Sequence, residues 1–178
     1  GDAGMRRWAD WLAPALVGLL VLGRWEAAVR LLDVPERHYL MVDGHGDPND
    51  SPAFAEAIET LYPVAYGLKF ASKNDLGRDY VVPPLEGLWW AEDMDAFTAG
   101  DKDKWSWTAM IMQPDWITDA MFAAAVDKAR GKLGDPPESL RLEIFDEGLS
   151  VQIMHIGPYD AEGPTIARLH QQFSPQNG

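Results

Sequence analysis

The chain has no cysteine. That absence removes disulfide staples, thiol nucleophiles and cysteine-rich metal sites from consideration. Positive charge is also scarce: 15 Lys and Arg stand against 28 Asp and Glu, a formal net charge of −13. A surface of that sign repels phosphate backbones, so no nucleic-acid partner is expected, and it suits neutral or cationic ligands better. The four histidines, His38, His45, His155 and His170, show none of the close spacings of a metal site, so no metal is expected. His45, between Gly44 and Gly46 with Asp43 and Asp47 nearby, lacks the acid count of a calcium loop and reads as a turn. No Gly-x-Ser-x-Gly elbow, phosphate loop or dinucleotide fingerprint occurs. No cofactor is expected. The apolar run at residues 11–22 is shorter than the roughly 20 residues of a bilayer-spanning helix, so no membrane span is expected. The chemistry that remains needs only carboxylates, aromatic hydroxyls and water.

What the chain does have is unusual. Eight Trp and seven Met occur among 178 residues. Both types supply large, polarizable contact area, and a chain rich in both can line an adaptable pocket, although most such residues in any protein fill the core. With 47% apolar residues the chain is long enough for one domain with a sizeable core. Residues 1–4 precede Met5 and read as a tag remnant; with the apolar helical segment that follows they make up residues 1–32, ahead of a main domain at 33–178.

Within the main domain the pattern alternates between strand and helix. Residues 38–43 read as a strand. Ser51 and Pro52 open a helix in which Phe54, Ile58, Leu61, Ala65 and Leu68 recur at helical steps, with Pro63 predicting a kink. Residues 80–90 read as a strand despite Pro83 and Pro84, residues 91–104 as an acidic connector, and residues 105–113 as the returning strand. Thr118 caps a second helix, with Ile117 and Phe122 spaced as a hydrophobic staple. Residues 140–145 and 149–156 read as a hairpin around Asp146, Glu147 and Gly148. Pro164 then suits the first turn of a last helix.

Four ordered segments carry a resemblance. They are residues 39–50 (Tyr-Leu-Met-Val-Asp-Gly-His-Gly-Asp-Pro-Asn-Asp), 84–90 (Pro-Leu-Glu-Gly-Leu-Trp-Trp), 107–116 (Trp-Thr-Ala-Met-Ile-Met-Gln-Pro-Asp-Trp) and 147–170, which runs through Met-His-Ile-Gly-Pro-Tyr. From about residue 33 to 173 the chain resembles the GyrI-like small-molecule-binding family, relatives of the drug-binding domain of the BmrR regulator. The resemblance implies an α+β fold: duplicated β-α-β-β half-modules forming an antiparallel sheet with helices on one face and a pocket between the halves. The second half is expected to be truncated at its C-terminus, without the strands whose His-His-Glu-Ile-Tyr-Leu-like segment brings an acid to the pocket in relatives. An open sheet edge of that kind asks for a cover or a second chain, and a homodimer is expected.

Candidate site residues follow from strand parity and from the family. Glu86 lies in a strand with little other charge, where burial beside rings would raise its pKa; a rim glutamate bonded to backbone or Arg is the plainer alternative. Parity puts Glu86, Leu88 and Trp90 on one face and Leu85, Gly87 and Trp89 on the other. On the returning strand Trp105, Trp107, Ala109 and Ile111 share one face and Thr108, Met110 and Met112 the other. Only one set can line a cavity, and Trp107 is expected to face Trp90 as a second ring wall. Tyr66, and Tyr39 from the first strand, are the hydroxyl candidates. Met110, Met154, His155 and Tyr159 complete the expected ligand contacts, with a satisfied core histidine as the plainer reading of His155.

The stand-alone members with these segments resemble cyclopropanoid cyclopropyl hydrolases, which open the strained ring of DNA-alkylating antibiotics with water. The expected function is therefore multidrug-type binding of flat aromatic or cationic small molecules, with that hydrolysis as an extension in cytoplasmic detoxification and antibiotic resistance. Glu86 would activate water and Tyr66 or Tyr39 would donate to the substrate carbonyl. The alternatives are a protein-interaction module of the gyrase-inhibitor type, and a truncated form that folds without function.

Overall fold

The computed structural model describes residues 29–93, 100–158 and 161–169. The N-terminal apolar run, Tyr159 and His170 lie outside the described residues. The described strands are β1 (Arg30–Val34), β2 (Arg37–His45), β3 (Glu86–Trp90), β4 (Ser106–Gln113), β5 (Arg141–Phe145) and β6 (Gly148–Gln152). The described α-helices are α1 (Pro52–Leu76), α2 (Asp119–Leu133) and the short α3 (Gly163–Arg168). This is the mixed α+β class that the sequence implies.

Two compact units divide the chain. Of the described residues, those within 35–147 form one, and those within 29–34 and 148–169 form the other. In the second unit β1 pairs antiparallel with β6, Leu32 opposite Ser150. In the first, an antiparallel sheet runs in the order β3-β4-β2-β5. The chain order β2-α1-β3-β4 is the β-α-β-β run expected for a first half-module.

Local chemistry explains these elements. Pro52 stands in the first turn of α1, where its missing N–H costs nothing, and the Ser51 carbonyl accepts from the Phe54 and Ala55 amides. The Ser51 side chain makes no cap bond. The helix runs on through Pro63 and stops at Gly77, whose φ of 66° is a left-handed conformation that glycine adopts without penalty. Its buried stripe is Ala57, Thr60, Leu61, Val64, Ala65, Leu68 and Ser72, close to the predicted apolar periodicity. The Thr118 side chain accepts from the Met121 amide at 3.3 Å, the cap expected for α2. Ile117 and Phe122 both join the core, as a staple requires.

That core lies on one face of the four-stranded sheet. Leu40, Val42, Trp107, Ala109 and Ile111 pack against α1, and Ala125 of α2 packs with them. Trp107 is fully buried, its ring edge-on to Phe54 with centroids 4.9 Å apart. The ring lies across Gly44, where a β-carbon would come within 2.2 Å of the indole carbons. Only glycine leaves that space.

Two predicted strands are shorter than expected, and one hairpin does not form. The strand expected at 80–90 begins only at Glu86, because Pro83 and Pro84 supply no ladder donor. The strand expected at 149–156 ends at Gln152. Strands β5 and β6 do not pair with each other: β5 adds to the edge of β2 and β6 pairs with β1. Gly148, with φ of 63°, marks the passage from one unit to the other rather than a hairpin tip.

Candidate active site

The other face of the four-stranded sheet carries a different chemistry. The register aligns Glu86 with Met110, Met110 with Met41, and Met41 with Arg141, so one row crosses all four strands. Residues directly opposite in an antiparallel pair share a face. The neighbouring rows are Leu88–Thr108–Asp43 on one side and Met112–Tyr39–Glu143 on the other. Tyr39, Met41 and Met110 are buried, with Leu88, Met112 and Phe145 packed against them.

At one end of this methionine face the Tyr39 hydroxyl donates to Glu86 Oε2 at 3.4 Å, the long limit of a hydrogen bond. The pair has an electrostatic cause and effect. Desolvation raises the Glu86 pKa above its ordinary value; the bond from Tyr39 opposes the rise and the negative charge of Glu147 adds to it. Glu86 as a residue is exposed, so this desolvation is partial and the group titrates in contact with water. The Tyr39 phenol is raised too, first by burial and then by the charge of Glu86, which keeps it a neutral donor. The Tyr39 ring meets Phe145 edge-on, centroids 6.4 Å apart, which holds its orientation.

At the other end Arg141 is held from several sides. Its Nη1 donates to Asp43 Oδ2 at 2.8 Å and to the Ser139 carbonyl at 3.1 Å, and its Nε donates to Glu143 Oε2 at 2.5 Å. Its Nη2 donates to Met41 Sδ at 3.6 Å. Asp43 is fixed in turn by the Thr108 hydroxyl at 2.7 Å. Desolvation works against the Arg141 charge, but Glu143 and Asp43 outweigh it and raise the pKa.

The register separates the residues expected at the site into two groups. Glu86, Tyr39, Met110 and Trp90 share the methionine face, as parity predicts for Glu86, Leu88 and Trp90. Trp107 does not face Trp90. It pairs with Trp89 and points into the helix-side core, and its indole N–H has no acceptor among the described residues. Parity allowed either face of β4 to meet the helices, and Trp107 fills the hollow over Gly44. Tyr66 stands on α1, which packs on the helix side; it is 46% exposed with its ring beside Phe70, so it does not meet Glu86. Met154 and His155 belong to the other unit, where Met154 is exposed. His155 has both ring nitrogens engaged. Its Nε2 donates to the Pro158 carbonyl at 3.2 Å, which leaves Nδ1 to accept from the Thr165 hydroxyl at 3.0 Å. Both nitrogens are satisfied, but His155 is only half-buried and belongs to neither core cluster.

A model of the GyrI-like small molecule binding domain matches residues 27–178. The chain belongs to the GyrI-like family. Solved structures of the same fold extend the match. An uncharacterized conserved protein from Listeria innocua is 38% identical with a TM-score of 0.75, covering 85% of this chain and 75% of its own. A structure from the same organism described as a hydrolase is 36% identical with a TM-score of 0.70, covering 83% and 76%. A further Listeria innocua hydrolase structure is 38% identical with a TM-score of 0.73, covering 85% and 75%. No curated protein matches the chain. Among the described residues no helix is long and apolar enough to cross a membrane.

Sequence reasoning missed Asp43, Met41, Glu143 and Arg141 on the methionine face of this GyrI-like domain. The alternation of Arg141, Glu143 and Phe145 with Leu142 and Ile144 was visible in the sequence. What gives it meaning is the pairing of β5 with β2, which carries those side chains beside Tyr39 and Met41. A surface cleft of about 400 Å³ elsewhere is lined by Phe122, Val126, Arg130, Pro136 and Leu140 among others, and includes none of the expected site residues.

Proposed function

We propose that this GyrI-like protein binds flat aromatic molecules, cationic ones included, on the methionine face beside Glu86, and hydrolyses reactive members of that class. The observation that carries this reading is the Tyr39–Glu86 pair at the end of the Met110–Met41 row. Thioether side chains are polarizable and unbranched, so they move aside for a flat ring and then pack against it. Trp90, exposed on the same face, adds a ring wall. The Glu86 carboxylate in its charged form is a counter-ion for a cation and a base for water.

For a cyclopropane fused to a dienone the atoms balance simply. Water oxygen bonds to the less hindered cyclopropane carbon while Glu86 accepts the water proton. The strained carbon–carbon bond breaks, and its electron pair enters the ring to give a phenolate. The phenolate then takes up a proton, and the net change is addition of one water. Tyr39, the remaining tyrosine of the two expected, holds Glu86 and tunes its basicity. The two Listeria innocua structures described as hydrolases support a hydrolytic reading of the shared fold.

Titration with a rhodamine-type dye, followed by quenching of tryptophan fluorescence, tests the binding step. Saturable quenching at micromolar dye is expected. The variant Glu86→Gln should weaken the cation by about tenfold, the loss of a charge partner in a partly desolvated site, and leave a neutral dye of the same shape unaffected. Equal losses for both dyes would remove Glu86 from the site. Incubation with a cyclopropanoid alkylator should yield the water adduct by mass spectrometry with the wild type and not with Glu86→Gln.

A further inference from the structure

Helix α2 carries an apolar stripe that its packing covers only in part. Phe122, Val126, Ala129 and Leu133 recur along it at helical steps. The first three are half-buried against the core, and Leu133 is 52% exposed. The linker at 134–140 faces this stripe across the cleft of about 400 Å³, whose apolar lining is Phe122, Val126, Pro136, Pro137 and Leu140. A smaller hollow of about 70 Å³ has Val64, Val126, Ala129, Leu133 and Pro136 as its apolar lining. The two adjoin, since Val126, Arg130, Asp135 and Pro136 border both. All of these residues belong to one unit.

The linker wall is held at both ends. The Gly134 amide donates to the Arg130 carbonyl at 3.0 Å, and Arg130 Nε donates to Asp135 Oδ1 at 3.1 Å. At the far end the Ser139 hydroxyl donates to the Asp43 carbonyl at 3.2 Å and accepts from the Asp43 amide at 3.1 Å. Between these anchors Pro136 and Pro137 have fixed φ. A partner meets a wall already in place, so little ordering is left to oppose binding.

The rim has one sign of charge. Glu56, Glu59, Asp127, Asp135 and Glu138 border the two hollows, with Arg130 as the one cation in their linings among the described residues. Arg130 is shared between Asp127 at 3.3 Å and Asp135. Glu56, Glu59 and Glu138 make no ion pair among the described residues. A second copy of this chain, with a net charge of −13, meets repulsion at such a rim. The main cleft is open, so a small ligand keeps one side in water, whereas a peptide segment brings its own cover.

We infer that this groove docks a basic amphipathic helix of another protein. Apolar side chains one helical turn apart enter the two hollows, as in other helix-in-groove complexes. Its Lys and Arg residues meet Glu138 beside the main cleft and Glu56 and Glu59 beside the smaller one. The groove shares no residue with the small-molecule site proposed above, and adds a protein partner to that reading.

The probe is a fluorescein-labelled peptide of about 18 residues, Leu on one helical face and Lys on the other, followed by anisotropy with the full chain. Wild type is expected to bind it at micromolar concentration, and more weakly as salt screens the rim. Ala123 is exposed and lines the main cleft. Ala123→Arg adds bulk and positive charge there and should weaken the peptide by about tenfold or more. Ala124 is exposed and lines neither hollow. Ala124→Arg makes the same change in net charge and should stay within about twofold of wild type. Arg is a strong helix former, so both variants should keep the helix, which circular dichroism checks. Should Ala123→Arg be unfolded, Glu138→Lys on the linker carries the test, with a loss of about threefold or more expected. A peptide with Ala for Leu keeps the helix and the charge, and should bind about tenfold more weakly than the Leu form. Equal losses in Ala123→Arg and Ala124→Arg, or equal binding of the two peptides, would reduce the effect to general attraction between an acidic surface and a basic peptide. Either result overturns the inference, as does failure of the wild type to bind the Leu peptide.

Discussion

The two faces of the four-stranded sheet are made of the same strands and differ in nearly everything else. On the helix face Leu40, Val42, Ala109 and Ile111 surround Trp107, branched or rigid side chains that fit one arrangement. On the other face Met41 and Met110 lie between Glu86 and Arg141, with Met112 in the neighbouring row, flexible side chains beside charged ones. A face built for stability fills its volume with shapes that cannot change. The binding proposed for the methionine face relies instead on adaptable thioethers with polar groups beside them. The contrast explains why an aromatic inventory alone misleads here: Trp107, the most deeply buried tryptophan among the described residues, belongs to the helix face.

The largest effect is expected where the helix face is opened. Trp107→Ala should cost about 3–5 kcal/mol, the range for removing a buried aromatic, measured by urea denaturation. A loss under about 1 kcal/mol would place Trp107 outside the core. Gly44→Ala comes next. Its new methyl would meet the Trp107 ring at 2.2 Å, and overpacking of this kind costs about 1–3 kcal/mol. Because the collision is with the six-membered part of the indole, Trp107→Phe should recover part of that loss in the double variant.

A smaller effect in stability should accompany a clear one in binding on the methionine face. Met41→Leu and Met110→Leu conserve volume and should each cost less than about 1.5 kcal/mol. The range of dyes bound should narrow, because Leu branches and cannot reshape around different rings. An unchanged range in the double variant would show that the methionines are ordinary core.

The smallest effect is the pH dependence of Glu86. A carboxyl whose folded pKa is raised binds its proton more tightly in the folded state than in the unfolded one. Its contribution to stability is therefore full below the ordinary value of 4.5 and is lost as pH rises through the raised value. Glu86→Gln, neutral at every pH, should remove that component, visible as a flatter midpoint-against-pH curve in thermal melts. Cation binding runs the other way. It should weaken as pH falls through the same raised pKa and become independent of pH in this window in Glu86→Gln.

Much of the fold was legible because it is written in local periodicity. The stripe from Leu61 to Leu68, the Pro52 start, the Thr118 cap and the face parity of β3 and β4 all depend on residues a few positions apart. The same parity rule correctly divided Thr108, Met110 and Met112 from Trp107, Ala109 and Ile111. It could not say which set meets the helices, since both are mainly apolar.

The sequence by itself determined the α+β class, the helix positions, the membership in a small-molecule-binding family and the candidacy of Glu86. Tertiary structure alone decided that Trp107 belongs to the core, that Tyr66 stands away from Glu86, and that β5 joins β2 instead of turning back on β6. It also decided that Arg141, 55 positions along the chain from Glu86, ends the same row of side chains. The physical reason is that periodicity is fixed by the geometry of one segment, whereas a row across a sheet is fixed by hydrogen bonds between strands far apart in sequence.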